Sequence, residues 1–202
     1  MKKIIFFLLI IMAFNTKAQS FEIAPSYAYH FGGKINYGSE QIKFTDSDNY
    51  GISANYILPN GVGIGFEYIR QSTTFTHDYR GQKIGTGDVN NDWYQLVGTK
   101  NIIAKEHIVP YAGLGVGAAN FSPSNVTGIS YSSELKFAFT LQGGVKLFLS
   151  DHIGIKLHAH MYVPIQWGGF GFTAGSGGSG AGFSAGSSFI QGDIGGGIIF
   201  RL

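Results

Sequence analysis

Few residues in this chain are spaced for chemistry. His158 and His160 stand two apart, so on a strand both imidazoles face one way and could reach a single metal ion. No third ligand is evident by spacing. Histidines hydrogen-bonded to a Glu or Asp are the simpler account, and no metal is expected. Gly182-Phe183-Ser184-Ala185-Gly186 matches the turn that presents the nucleophile of a serine hydrolase, but that turn works only between a strand and a helix. Here it falls within 168–187, where nine of twenty residues are glycine. Gly175-Ser176-Gly177-Gly178-Ser179-Gly180 imitates a dinucleotide fingerprint with no helix to receive a pyrophosphate. Asp46-Ser47-Asp48-Asn49 and the run from Asp88 to Asp92 could hold calcium weakly, yet neither carries the full EF-hand pattern. Solvated loop charge is the better reading. No catalytic residue, metal or cofactor is expected.

What positions these residues follows from composition. Of 202 residues, 13% are charged, 44% hydrophobic and 15% aromatic, with 31 glycines and no cysteine. An average domain carries roughly a quarter charged residues and about 7% glycine. Charge-driven disorder, a disulfide framework and a cysteine-ligated metal are therefore excluded. So is a helix-rich fold, because glycine costs about 1 kcal/mol per helical position relative to alanine.

The chain opens with Met1-Lys2-Lys3, an apolar run over 4–14, and Asn15-Thr16-Lys17-Ala18. A basic start, a short apolar run and a small exit residue make a secretory signal peptide, here 1–18, with Gln19 or Ser20 as alternative starts. The run is too short for a membrane helix of about 20 residues. Lys2, Lys3 and Lys17 leave with it, so 14 basic residues fall to 11 against 12 acidic ones. No clustered basic face remains for a nucleic acid. The domain proper is 19–202, exported and electrostatically bland.

Strict apolar–polar alternation, the period of a strand with two unlike faces, runs through several segments. The clearest is Ile153 to Val163, whose even positions are Lys156, His158, His160 and Tyr162. The pattern predicts eight strands near 21–32, 48–58, 62–74, 92–103, 108–120, 134–149, 153–166 and 188–202. Short links (Pro59-Asn60-Gly61, 104–107, Ser150-Asp151-His152) alternate with long ones (33–47, 75–91, 121–133, 167–187). Each strand is then antiparallel to the next, with tight turns at one end and external loops at the other. An all-β, eight-stranded, antiparallel up-and-down transmembrane β-barrel has this asymmetry. The strand lengths suffice, since about 9–11 tilted residues cross the hydrocarbon.

Charge sorting supports a membrane. On the face opposite the apolar one lie Glu22, Glu67, Glu134 and Asp193 together with Lys136, Lys146, Lys156 and Arg201. These can pair within a polar lumen, whereas Lys or Arg at mid-depth in lipid costs about 2–4 kcal/mol. Only Arg70 and Lys100 are expected to face outward, near strand ends. Tyr27, Tyr29, Tyr50, Tyr56, Trp93, Tyr94 and Trp167 gather near strand ends, as headgroup girdles do. Gly113, Gly115, Gly117, Gly195 and Gly197 face inward. They either make room for long side chains from across the barrel or leave a void.

Pro110-Tyr111-Ala112-Gly113-Leu114-Gly115-Val116-Gly117 resembles the fifth-strand signature of small bacterial outer-membrane β-barrels. Phe139 to Lys156 looks like their sixth strand, turn and seventh strand. Over the whole mature chain the sequence is similar to the OmpA/OmpX-type barrel domains, without the peptidoglycan-binding domain some carry. Such barrels usually end in an aromatic residue, whereas this chain ends Phe200-Arg201-Leu202. The resemblance implies a monomeric, porin-like barrel in the cell outer membrane, partnered by its lipid and, through four external loops, by surface ligands or envelope proteins. A non-enzymatic structural or interaction role leads. A narrow conduit for small or apolar solutes is the alternative, and a lipid-modifying enzyme using His30, Ser72 or His77 near the outer rim is the third.

Overall fold

The computed structural model describes residues 20–37, 39–102, 107–128, 132–175, 178–187 and 190–202. The expected leader lies outside them. The strands are β1 (Ser20–Phe31), β2 (Lys34–Tyr37), β3 (Glu40–Phe44), β4 (Ser47–Ile57), β5 (Val62–Tyr79), β6 (Gln82–Asn101), β7 (Ile108–Thr127), β8 (Glu134–Phe148), β9 (Ile153–Gly175), β10 (Gly178–Ser187) and β11 (Gln191–Arg201). Eight close on themselves in the order β1-β4-β5-β6-β7-β8-β9-β11, each antiparallel to its neighbours. The seam joins the first strand to the last, pairing Glu22 with Arg201 and His30 with Asp193. Phe21 and Leu202 exchange backbone hydrogen bonds (3.2 and 2.8 Å), so no edge is left there.

Three links cluster at the end that holds Ser20 and Leu202, called here the turn end. In Pro59-Asn60-Gly61, Asn60 Oδ1 accepts from the Val62 N–H (3.0 Å), and Gly61 takes a φ of 79° that a side chain would resist. The opposite end differs from the expected loops. β5 and β6 run well beyond 74 and 92 and meet in a two-residue turn, Arg80-Gly81, with φ of 51° and 79°. β2 and β3 form a hairpin that pairs onto the extended β5 through Glu40–Tyr79 and Phe44–Phe75. β9 continues through the expected loop to Gly175 and pairs with β10. In these segments the outer face is polar, while Ile35, Phe75 and Val89 still turn inward. Once a strand clears the lipid, its outer side can be polar, and the hydropathy signal weakens while the pairing does not.

Exterior and interior are inverted relative to a soluble protein. Leu96, Leu114, Phe139, Leu157, Ile194 and Ile198 point out and stand exposed, Leu114 at 66%. Glu22, Glu67, Gln95, Lys146, Lys156 and Asp193 point in and are buried. Soluble monomers rarely expose a contiguous apolar surface above a few hundred Å². The lumen carries an apolar layer toward each end: Trp93, Phe121, Tyr162, Ile69 and Phe75 at the hairpin end, and Ala24, Val109, Phe148 and Ile199 at the turn end. Trp93, expected in a girdle, is instead fully buried in this hairpin-end layer, 4.5 Å from the Tyr162 ring and edge-on to Phe121. Tyr27, Tyr29, Tyr50 and Tyr94 do face outward and are exposed; the side chain of Trp167 lies outside the described residues.

The inward glycines serve close packing of neighbouring strands rather than distant side chains. A Cβ on Gly115 would meet Gln95 Oε1 and Val97 Cγ1 at 3.2 Å and Thr140 Cβ at 3.3 Å, and one on Gly117 would collide with the Tyr94 carbonyl oxygen. No void is left there. Gly117→Ala is expected to destabilise the barrel by about 1–3 kcal/mol through overpacking. Gly98→Ala, whose Cβ meets nothing within 4 Å, is expected to leave the urea midpoint in lipid vesicles unchanged. Equal midpoints for the two would contradict this packing.

Candidate functional site

The lumen is where the sequence places its ionisable groups, and β-alternation aims them inward from six strands. Nearest the turn end, Glu22 of β1 accepts from Lys146 Nζ of β8 at 2.6 Å and from Arg201 Nη2 of β11 at 3.3 Å. Lys146 also donates to Asn101 Oδ1 at 3.0 Å, and Arg201 lies 3.5 Å over the Phe148 ring. One layer up, Glu67 of β5 faces Lys156 of β9 at 3.6 Å. The ammonium groups of Lys146 and Lys156 both lie against the Tyr111 ring, 5.3 and 5.5 Å from its centroid.

Above these, Asp193 of β11 is held from three sides. Its Oδ2 accepts from Asn49 Nδ2 (2.7 Å) and Tyr162 Oη (2.8 Å), and its Oδ1 lies 2.8 Å from His160 Nδ1. His160 Nε2 turns toward Glu67 Oε2 at 3.5 Å, and Asn49 Nδ2 also reaches His30 Nδ1 at 3.1 Å. Six of the eight expected lumen charges thus meet inside the barrel. Glu134 and Lys136 pair with each other instead (3.2 Å) at the hairpin-end rim, where Glu134 is 62% exposed. Its strand parity is inward, but β8 begins at Glu134, above the packed lumen.

Uncharged amides complete the interior. Asn91 donates to Gln71 Oε1 at 2.8 Å, and Gln71 donates to Ser47 Oγ at 2.9 Å. Asn91 falls in an expected loop, and Asn49, at the start of an expected strand, is read in the sequence only with Asp46 and Asp48 as loop charge; their alternation with less buried neighbours is the signal available. Between the charged layers lies a cavity of about 10 Å³, bordered by Glu22, Glu67, Tyr111, Gln142, Lys146 and Lys156. That is room for about one water molecule.

Other candidates do not assemble. Ser72 is outward and bonds Asn90 (2.7 Å), whereas His30 and His77 are buried in the interior. Gly182 to Gly186 lies within strand β10, not at a strand-to-helix turn. Asp88 and Asp92 sit on β6 rather than in a loop, and protein donors take them: Asn125 bonds Asp88 (2.7 Å), while Tyr68 (2.7 Å) and Arg70 (3.5 Å) hold Asp92. Asp46, in the link between β3 and β4, accepts from the Gly32 N–H at 2.7 Å and from Tyr29 Oη at 2.8 Å. These two bonds, Gly32 first, hold its carboxyl below the usual range.

A closed sheet, an apolar belt and a filled polar lumen define a transmembrane β-barrel. No protein-family profile matches the sequence, and no curated protein does. Solved structures do. Neisserial surface protein A is 13% identical with a TM-score of 0.62, covering 89% of this chain and 96% of that one. The outer membrane protein OprG from Pseudomonas aeruginosa is 14% identical at 0.61, covering 92% and 97%. Ail, the attachment invasion locus protein of Yersinia pestis, crystallised with the heparin analogue sucrose octasulfate, is 16% identical at 0.51, covering 91% and 99%. The fold of this chain is that of the small eight-stranded outer-membrane barrels.

Lys156→Leu is expected to destabilise the protein by about 3–5 kcal/mol, because Glu67 is left buried without its cation. Leu157→Val, on the lipid face, should cost well under that, and Glu67→Leu added to Lys156→Leu should recover most of the loss. Unfolding midpoints in detergent check the order. Asp46 predicts a local pH response. A carboxyl depressed in the fold contributes stability above its unfolded value, about 3.9, and loses it as pH falls through the depressed one. A carboxyl-carbon NMR titration should place Asp46 below that value, and Tyr29→Phe should move it back up.

Proposed function

We propose that the chain is a non-enzymatic integral protein of a bacterial outer membrane, with a closed lumen, that acts through the surface beyond its hairpin end. The carrying observation is the filled interior. Apolar layers at both ends bracket interlocked ion pairs, and the cavity between them holds about one water molecule. A lumen in that state offers no path to a hydrated solute. The conduit reading drew on the inward glycines, and these are occupied by neighbouring strands. The enzymatic reading needs a hydroxyl and a histidine side by side, and Ser72 stands on the opposite face of the sheet from His30 and His77.

The ion pairs are structural in this reading. They satisfy a polar interior, and they tie opposite walls together. The protruding strands β2, β3 and β10, with the outer parts of β5, β6 and β9, are the parts that would meet a partner in the medium or another envelope protein. Ail supplies a precedent for a sulfated ligand on such a barrel, in its complex with sucrose octasulfate. The protein reconstituted in planar bilayers should show no stepwise conductance above the lipid baseline. Discrete channel openings that disappear with Trp93→Arg or Tyr162→Arg, either of which fills the lumen with charge, would overturn the closed-lumen reading.

A further inference from the structure

His158, His160 and Asp193 converge in a way their spacing conceals. Asp193 lies on the neighbouring strand directly across from His160, and His158 pairs with Gly195, which contributes no side chain to crowd the space. One ligand atom from each of the three residues falls within 4.8 Å of the other two, and all three residues are buried. A zinc ion with bonds of about 2.0–2.2 Å keeps its ligand atoms roughly 3–3.5 Å apart. Closing the set onto an ion thus asks for about an ångström of side-chain movement.

The hydrogen-bond pattern points to something missing from this cluster. His158 Nδ1, His160 Nε2 and Glu67 Oε2 are buried and have no hydrogen-bond partner, with His158 and His160 only 4% and 5% exposed. If neutral His160 gives its one ring proton to Glu67 through Nε2 (3.5 Å), its Nδ1 lone pair confronts a carboxylate oxygen of Asp193 at 2.8 Å. Two acceptors then face each other in a region of low dielectric, which a cation between them would relieve. Glu67 keeps its other oxygen toward Lys156. Asp193 keeps Oδ2 fixed by Asn49 and Tyr162, the kind of outer support that orients a ligating carboxylate.

We propose that the lumen holds a divalent first-row metal ion, ligated by His158, by His160 through Nδ1 and by Asp193, with Glu67 accepting the His160 Nε2 proton as outer support. Two imidazoles and a carboxylate suit zinc, which in such sets keeps a fourth position for water, whereas magnesium and calcium prefer oxygen alone. The site lies beneath the Trp93–Tyr162 layer, so the ion enters as the barrel closes.

The test uses the protein purified from membranes without a histidine tag, unfolded in urea and refolded in detergent with zinc or with a chelator. After dialysis the zinc-refolded protein should retain one zinc per chain by elemental analysis, and its urea midpoint should rise. Cobalt refolding should give the visible bands of a tetrahedral site. His158→Gln and Asp193→Asn should each reduce retained metal at least tenfold. Should Asp193→Asn fail to fold, His158→Gln decides, since His158 meets the cluster through its contact with the His160 ring (4.6 Å). His152→Gln, at the exposed turn end, should retain the ion. No zinc in the unmodified protein, as expected of a plain His160 imidazolium between two carboxylates, would overturn the site. So would full retention in His158→Gln.

Discussion

Hydrocarbon accepts neither an unpaired backbone group nor an unpaired charge, and this single restriction organises the molecule. Closing β1 against β11 removes the sheet edge, and turning the apolar face outward leaves everything polar to be reconciled inside. In a narrow lumen, reconciliation means that each buried charge meets an opposite one. Lys146 reaches from β8 to Glu22 on β1, and Lys156 reaches from β9 to Glu67 on β5, the strand diametrically opposite. The ion pairs therefore act as crossbars. Each joins walls that share no backbone hydrogen bond, and together with Asp193, tied to Asn49 on β4, they brace the seam that closes last in sequence.

Crossbars of this length require the rest of the wall to come close. Small residues let it. At Gly113 and Gly117 β7 presses onto the β6 backbone so closely that a Cβ has no place, and at Gly115 a Cβ would be tight against side chains of both neighbouring strands. Elsewhere in the interior the bulk comes from Trp93, Tyr111, Phe121 and Tyr162, whose rings are buried. The uneven division of interior volume, large rings in one place and bare glycine in another, keeps the lumen solid although its lining is polar. Arg201 and the two lysines, each already facing a carboxylate, use aromatic faces as a second set of partners.

Much of this was legible in the residues. The eight barrel strands, their antiparallel order, the turn end and the inward charges all follow from alternation, because one face touches lipid and must be uniformly apolar. Legibility fails where that contrast fails. Beyond the lipid, Phe75 to Tyr79 and Gln82 to Asn91 remain strand with a polar outer face, and the pattern reads as loop. It fails again at Trp93, because an aromatic near an expected strand end suits a girdle as well as a lumen; only its parity with Gln95 and Val97 decides. The convergence of His158 and His160 with Asp193 was invisible for another reason. A third ligand from the adjacent strand, 33 residues on from His160, is a matter of register, and register is fixed by closure of the whole sheet.

A polar lumen is not the only way to fill a barrel of this size, since aliphatic side chains would pack there without any desolvation cost, and replacing buried ion pairs by apolar groups is often neutral or stabilising. The cost would fall elsewhere. A segment such as β9, made apolar on both faces, would become a continuous hydrophobic run, and a run of about 20 such residues inserts in a membrane as a helix. Lys156, His158, His160 and Tyr162 interrupt that run at every second position. The polar interior thus protects the strand identity of each segment before the barrel exists. Once enclosed, Lys156 meets Glu67 and Tyr162 meets Asp193, so the residues that interrupt the run become the ties that hold the layered lumen together.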